Sequence, residues 1–391
     1  MNSLRCAFVF PLLGIWSSLP AQDPVPASAP PAGQDPAPAQ QPKAKPKGLE
    51  TQIGDFKVKL GGYVKVDLIH DFNEIGSTDS FDPRTIDPDD DVGVNTRMHA
   101  KATRLNLDVR GPTSEGELRL FVEGDFFSDG NGFRMRHAFG TFGPVLGGQT
   151  WSTFMDEDCM PETLDFESPI AFPLIRQAQV RYRGEIGTAG SYWAVALEDP
   201  ASNLIAPGAG TVEEATPDLT GRLRWALDRG HVQLGLFAGT ARFDATGGPS
   251  DQIALFGANL SANLQVFERD HVFVQATYGP GIGRYRGGVT AAPDANGDLD
   301  AIEVAAAMLG YEHHWSDAWR STIVYSAGTG DLPAGAPAAT IEKLEYAAVN
   351  LIWQFSERAW TGVEYLFGSR EDNDGDRGEA NRLQFSIRYD F

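Results

Sequence analysis

Every second residue of the last segment is apolar. Leu383, Phe385, Ile387, Tyr389 and Phe391 alternate with Arg382, Gln384, Ser386, Arg388 and Asp390. Successive side chains of a β-strand point to opposite faces, so this segment presents one greasy face and one charged face. The pattern starts at Phe56, where Val58, Leu60, Val64, Val66 and Leu68 oppose Lys57, Lys59, Lys65 and Asp67. It recurs with Leu105, Leu107 and Val109 against Arg104, Asn106, Asp108 and Arg110. Leu118, Leu120, Val122 and Phe126 then oppose Arg119, Glu123 and Asp125. A soluble sheet can alternate in this way, with its polar face in bulk water. In a closed membrane barrel the apolar face meets lipid and the charged face lines a lumen.

The N-terminus selects between these settings. Arg5, the apolar run Ala7 to Ile15 and the small-residue site Leu19-Pro20-Ala21 form an export signal over residues 1–21. Residues 22–54 are a Pro/Ala-rich periplasmic linker whose composition cannot bury a core. Cys6 leaves with the signal, so Cys159 has no intramolecular disulfide partner. Beyond the signal no run reaches the 18 or so apolar residues of a membrane helix. A closed barrel needs no such run, because its backbone groups pair between strands. The net charge of −21 argues against nucleic acid, which needs a basic face.

Residues 55–391 divide into sixteen predicted strands, starting near 56, 100, 117, 133, 145, 175, 191, 218, 231, 251, 271, 301, 319, 343, 359 and 380. Their joins alternate between brief turns and mostly longer loops, as between the periplasmic and external sides of an outer-membrane barrel. An even count places both ends of the barrel in the periplasm. Trp315, Trp319, Trp353 and Trp360 flank two of the brief turns and are expected to form an interfacial girdle. The predicted fold class is thus all-β: a transmembrane antiparallel barrel of about sixteen strands with an inward-folded constriction loop.

That loop is 152–174, which follows Gly147-Gly148-Gln149-Thr150-Trp151. It mixes Asp156, Glu157, Asp158, Glu162, Asp165 and Glu167 with Phe154, Met155, Leu164, Phe166 and Ile170, too apolar for a solvated external loop. Pairs of arginines an even number of residues apart fall on predicted inward faces: Arg104 with Arg110, six apart, and Arg134 with Arg136, Arg181 with Arg183, and Arg222 with Arg224, two apart. Arginine on the lipid face costs about 2–4 kcal/mol at mid-bilayer, so the lumen is the cheaper place. An arginine wall facing a carboxylate loop would orient small anions. The same arginines could instead pair with lumen carboxylates such as Asp108 and Glu123 and stiffen the wall. Both readings stay open here.

The external loops are acidic, including Asp87 to Asp91, Glu213-Glu214 and Glu371 to Asp376. Two stretches, Asp294 to Asp300 and Asp372 to Asp376, approach calcium-loop spacing. Both lack its sixth-position glycine and late glutamate, so they read as solvated turns. Cations could bridge the loops to lipopolysaccharide. No cofactor or metal site is expected. No nucleophile motif, zinc helix or phosphate loop appears, and His313-His314 point to opposite faces of one strand.

Three stretches carry a family resemblance: Gly61-Gly62-Tyr63-Val64-Lys65-Val66-Asp67, Arg134-Met135-Arg136-His137-Ala138-Phe139-Gly140, and Gly148-Gln149-Thr150-Trp151-Ser152-Thr153-Phe154-Met155-Asp156. With them the chain resembles the DcaP-like outer-membrane porins over roughly residues 55–391. The terminal Tyr389-Asp390-Phe391 matches the signal read by the barrel assembly machinery, shared by all such barrels. The resemblance implies a sixteen-stranded homotrimeric channel favouring small anions such as dicarboxylates, with Arg134, Arg136, Arg181 and Arg183 near the eyelet. The linker has no heptads, so association would run through the barrel wall. The expected role is passive diffusion of small hydrophilic solutes across the outer membrane, not catalysis. The alternatives are a non-conducting structural or adhesive barrel and a barrel-embedded enzyme.

Overall fold

The computed structural model describes residues 49–391, apart from residues 74, 90–92, 188 and 201. The expected export signal and the expected linker as far as residue 48 lie outside the described residues, as do Asp90 and Asp91. Leu49–Ile53 form a short strand paired antiparallel with Leu60 to Phe56.

Sixteen strands make the wall. They are β1 (Phe56–Asp71), β2 (Arg104–Thr113), β3 (Gly116–Asp125), β4 (Arg134–Phe142), β5 (Val145–Trp151), β6 (Arg176–Glu185), β7 (Tyr192–Glu198) and β8 (Asp218–Leu227). Then follow β9 (Gly230–Ala245), β10 (Ser250–Val266), β11 (Asp270–Pro280), β12 (Glu303–His314), β13 (Trp319–Asp331), β14 (Ile341–Ser356), β15 (Ala359–Asp372) and β16 (Arg377–Asp390). Each pairs antiparallel with its sequence neighbour, and β16 returns to β1 with Tyr63 opposite Asp390 and Asp71 opposite Arg382. That last pairing closes the sheet and removes its edges, the condition for a β-structure in hydrocarbon. Each strand begins within a few residues of its predicted start. Among the described residues no helix is long and apolar enough to cross a membrane.

The faces sort as the alternation requires. Leu60, Val64, Leu68, Leu105, Leu107, Leu120, Val122, Leu383 and Phe385 are all exposed on the outer wall. Lys65, Asp67, Asp71, Asp125, Arg382, Gln384 and Ser386 are buried inside. Near the brief turns, Trp319 stacks on Trp353 at 5.7 Å between ring centres, and Trp353 packs on Phe355 and Phe355 on Tyr389. At the other end, the outward Tyr325 and Tyr365 hydroxyls donate to Glu345 and Asn381, both at 2.7 Å. Amphipathic rings suit these two levels. Trp360 departs from the expected girdle. It points inward, 6% exposed, and packs with Ile352 against loop residue Leu164. One residue of register decides this, since neighbours on a strand face opposite sides.

The lumen is filled unevenly. Loop 152–175 folds inward as expected, but two more loops join it. Residues 72–103, where the sequence predicts an acidic external loop over 72–99, bury Ile75, Phe81 and Ile86. Residues 281–302 bury Ile282, Arg284 and Tyr285. Met155, Cys159, Ile170 and Phe172 of loop 152–175 join Ile75, Phe81 and Ile86 in one core against Phe273, Met308, Val324, Tyr346 and Leu366 of the wall. That core covers the inner faces of β11 to β15. Open space remains beside β1 to β6.

Phe385 lies opposite Leu68 and Val363 in the middle of the lipid face. Phe385→Arg is therefore expected to cost about 2–4 kcal/mol of folding free energy in lipid vesicles, while Phe385→Leu costs under about 1.5 kcal/mol. Urea titrations of folding into vesicles would read both values.

Candidate functional site

Loop 152–175 leaves the wall where β5 bends. Gly148 sits at φ +127°, and a Cβ there would stand 2.3 Å from the Ala138 carbonyl oxygen. Only glycine tolerates that backbone and approach. The loop then lies against a second glycine, for a Cβ on Gly235 would meet the Phe154 carbonyl oxygen at 2.4 Å. Buried polar side chains of the wall take up its backbone groups, as burial demands. Arg222 donates to the carbonyls of Ser152, Thr153 and Met155 at 3.0, 2.9 and 2.8 Å. Glu364 accepts from the Leu164 and Asp165 amides, both at 2.8 Å. Lys65 Nζ donates to the Leu164 carbonyl at 2.6 Å.

Asp156 is the most deeply held carboxylate of the loop. It is fully buried and accepts from His231 Nε2 at 2.8 Å and Ser261 Oγ at 2.6 Å, with Arg224 at 3.4 Å. Burial alone would raise its pKa, but the two hydrogen bonds and the Arg224 charge hold it below the usual carboxylate value. Cys159 is sealed beside it, and burial pushes its thiol up to about 12. At neutral pH it stays protonated and unreactive.

The open space forms a chamber of about 500 Å³. Lys65, Arg104, Arg134, Arg136, Arg176 and Arg388 line it, facing Glu162, Asp165 and Glu167 of the loop. A β-bulge on β4 aims one of these cations. Glu123 pairs with His137 but Gly124 with Met135, leaving Arg136 as the extra residue. Arg136 and His137 are consequently both buried on the inner side, although they are consecutive. The Phe166 ring reaches into the cluster, 6.0, 5.5 and 5.4 Å from the guanidinium carbons of Arg104, Arg134 and Arg136. A ring face among cations is a favourable contact.

The cations differ in how far they are neutralised. Arg134 makes a two-pronged contact with Asp125, and Arg136 reaches both Glu123 and Asp125. Arg388 pairs with Asp390, and Lys65 with Asp67. Arg104 meets Glu123 only at 3.8 Å, and its buried Nε has no partner. Arg176 lies over the Trp151 ring at 4.4 Å and, among the described residues, has no carboxylate within ion-pair distance.

The other arginines singled out in the sequence lie elsewhere. Arg110 pairs with Asp108 near the turn between β2 and β3. Arg183 pairs with Glu185 near the next turn but one and rests on Tyr192. Arg181 braces the root of the loop through the Trp151 carbonyl at 2.6 Å. Arg222 and Arg224 clasp the loop instead of facing it across water, Arg224 reaching Asp158 at 2.7 Å. Glu157 is half-exposed, 3.8 Å from Arg222. Glu162 is gripped by Arg320 at 2.5 and 2.7 Å. Asp165 accepts from the Phe81 amide at 2.8 Å. Glu167 lies between Arg84 and Arg286, 3.2 Å from each. The inward parity of Arg320 and Arg388 was readable from their alternating strands. Arg84, Arg176 and Arg286 sit in or beside loops, where no periodicity marks a face.

A closed barrel whose lumen is narrowed by an infolded loop, with an outer face of apolar residues and aromatic rims, is an outer-membrane channel of the porin class. The chain belongs to the DcaP outer membrane protein family, whose pattern matches residues 41–391. It is 25% identical to the outer membrane channel DcaP of Acinetobacter baumannii, with a TM-score of 0.78 over 88% of this chain and 100% of that one. An anion-selective porin from Comamonas acidovorans shares the fold at 14% identity and a TM-score of 0.58, over 86% of this chain and 100% of its own. Salmonella typhi OmpF does so at 10% identity and 0.57, over 88% and 100%. Comparison with curated proteins gives no match. The protein resides in the outer membrane.

Asp156→Ala leaves His231 and Arg224 facing an uncompensated site and is expected to cost about 3–5 kcal/mol, read by urea unfolding in vesicles. The pH dependence follows from the depressed pKa. Its stabilisation is present above the ordinary carboxylate value and is lost as pH falls through the lower folded value. Protease cleavage near residue 156 should therefore stay slow down to about pH 4 and accelerate only below it.

Proposed function

We propose that the protein is a passive diffusion porin for small hydrophilic solutes with a preference for small anions such as dicarboxylates. One observation carries this reading. At the chamber, among the described residues, Arg176 has no carboxylate partner and Arg104 only a distant one, so two positive charges are left for a passing solute. Arginine keeps its charge at any working pH and grips carboxylates with two parallel hydrogen bonds. Charges more than about 8–10 Å from the path are screened at physiological salt, so the acidic outer loops weigh less than these two groups. The paired arginines add rigidity to the wall more than field. The Trp151 face beneath Arg176 holds that guanidinium in place at little cost in side-chain freedom. Following the family resemblance, we read the working unit as a homotrimer associating through the barrel wall. The assembly signal is read as Tyr389 and Phe391, with lipopolysaccharide and lipid as the surrounding partners.

The packing of three loops into the lumen favours one rival, a barrel that does not conduct. Liposome swelling separates the two, because a porin admits small sugars and a plugged barrel does not.

In planar bilayers the double variant Arg104→Ser/Arg176→Ser is expected to lower the anion-to-cation permeability ratio about two- to fivefold, the effect of losing ~0.5–1 kcal/mol of screened attraction. Swelling in neutral sugars should persist. A reversal potential equal to that of the wild type would remove the assignment.

A further inference from the structure

A second cavity lies on the far side of Glu167 from the arginine chamber. It is a recess of about 340 Å³ between the inner faces of β12 to β14 and the loops 72–103, 152–175 and 281–302. The two cavities have no lining residue in common. This volume sits at the lower end of the range for small-molecule sites.

Small residues on the wall open the recess. Gly328 faces inward, and a Cβ there would meet Ala306 Cβ at 3.2 Å and Ile170 Cδ1 at 3.6 Å. Around them Ile302, Val304 and Leu344 supply apolar walls. Two residues of the lining, Arg286 and Thr340, each carry a polar atom shut off from solvent with no hydrogen-bond partner among the described residues, Nε and Oγ1. Thr340 is only 6% exposed. The remaining nitrogens of Arg286 are engaged: Nη1 with Glu167 at 3.2 Å, and Nη2 with the carbonyls of Glu167 and Ser168 at 2.9 and 2.7 Å. Buried polar groups are normally satisfied, so two such donors beside one apolar recess point to a ligand that offers an acceptor.

Charge decides what kind of acceptor. On the lining, Arg84 pairs with Asp82 and Glu167, Arg286 pairs with Glu167, and Glu342 pairs with Lys343. No positive charge is left over, so an anion entering here would lose its hydration without a counter-charge. A neutral oxygen can accept from Nε–H and the threonine hydroxyl without that cost.

We propose that this recess is a binding site for a small uncharged solute that joins a compact apolar body to one carbonyl group. It discriminates by charge in the opposite sense to the arginine chamber, and it stands whether or not that chamber prefers anions. An uncharged amide fits best, because the Glu342 carboxylate on the lining can accept its N–H groups.

The test uses the full chain, purified and folded in detergent, with benzamide as probe and benzoate as its charged counterpart. Calorimetry or saturation-transfer NMR should show benzamide binding more tightly than benzoate. Thr340→Val keeps the side-chain shape and removes the hydroxyl, so benzamide affinity should fall about three- to tenfold. Ala306→Leu fills the recess and should abolish binding. If that variant misfolds, Thr340→Val decides alone. Arg104→Ser, in the other cavity, should leave benzamide affinity unchanged. No binding by the folded wild type, benzoate binding as tightly as benzamide, equal affinity in the Thr340→Val variant, or loss of binding on Arg104→Ser would each overturn the proposal.

Discussion

A backbone amide in hydrocarbon has no water to turn to, and every other feature of this protein follows from how that constraint is met. The sheet closes on itself through the pairing of β16 with β1, so no strand edge faces lipid. Closure then imposes the period of two, because each strand has lipid on one side and a wet lumen on the other. Leu383 and Phe385 face out while Arg382 and Gln384 face in for this reason. The constraint also explains where charge collects. Arginine is costly outside and cheap inside, so the lumen becomes an arginine-rich space.

Once the wall is closed, a wide lumen raises a second problem, since an open pipe would select nothing. This chain narrows it by packing protein into one side. Loops 72–103, 152–175 and 281–302 bring Phe81, Met155, Phe172 and Tyr285 into the barrel, and inward-facing wall residues such as Phe273 and Tyr346 receive them. The buried pair of Arg284 and Asp218, 2.7 Å apart, ties the third loop to β8. Breaking such a pair by removing one partner strands a buried charge, so the pair holds the loop in one place. The loops leave the chamber against β1 to β6, where the short strands carry the arginines. On the proposed function, selectivity depends less on how many arginines line the lumen than on which of them remain without a carboxylate.

Much of the fold was legible in the sequence because alternation is a local property. The strand starts, the short and long joins and the inward loop could all be read from which residue follows which. The girdle reading failed at Trp360, where the residue lies beside a turn as its neighbours do but has the opposite parity. The infolding of loops 72–103 and 281–302 left weaker traces, with Ile75, Phe81 and Ile86 scattered among acids and prolines. For the site, parity puts Arg104, Arg134 and Arg136 on the inner face, and they line the chamber. It could not tell that Arg222 and Arg224 hold the loop, because partners 65 to 70 residues away have no signature in the strand itself.

The sequence by itself determined the class of the molecule: a chain whose alternate side chains suit lipid and water has to close as a barrel, whatever its loops do. Only the tertiary structure decided which charges cancel. The β4 bulge turns Arg136 toward Glu123 and Asp125, Arg320 takes Glu162, and Arg176 is left on Trp151. The physical reason is one of range. Strand patterning acts between residues one and two apart, whereas an ion pair in the lumen forms between side chains brought together from opposite parts of the chain.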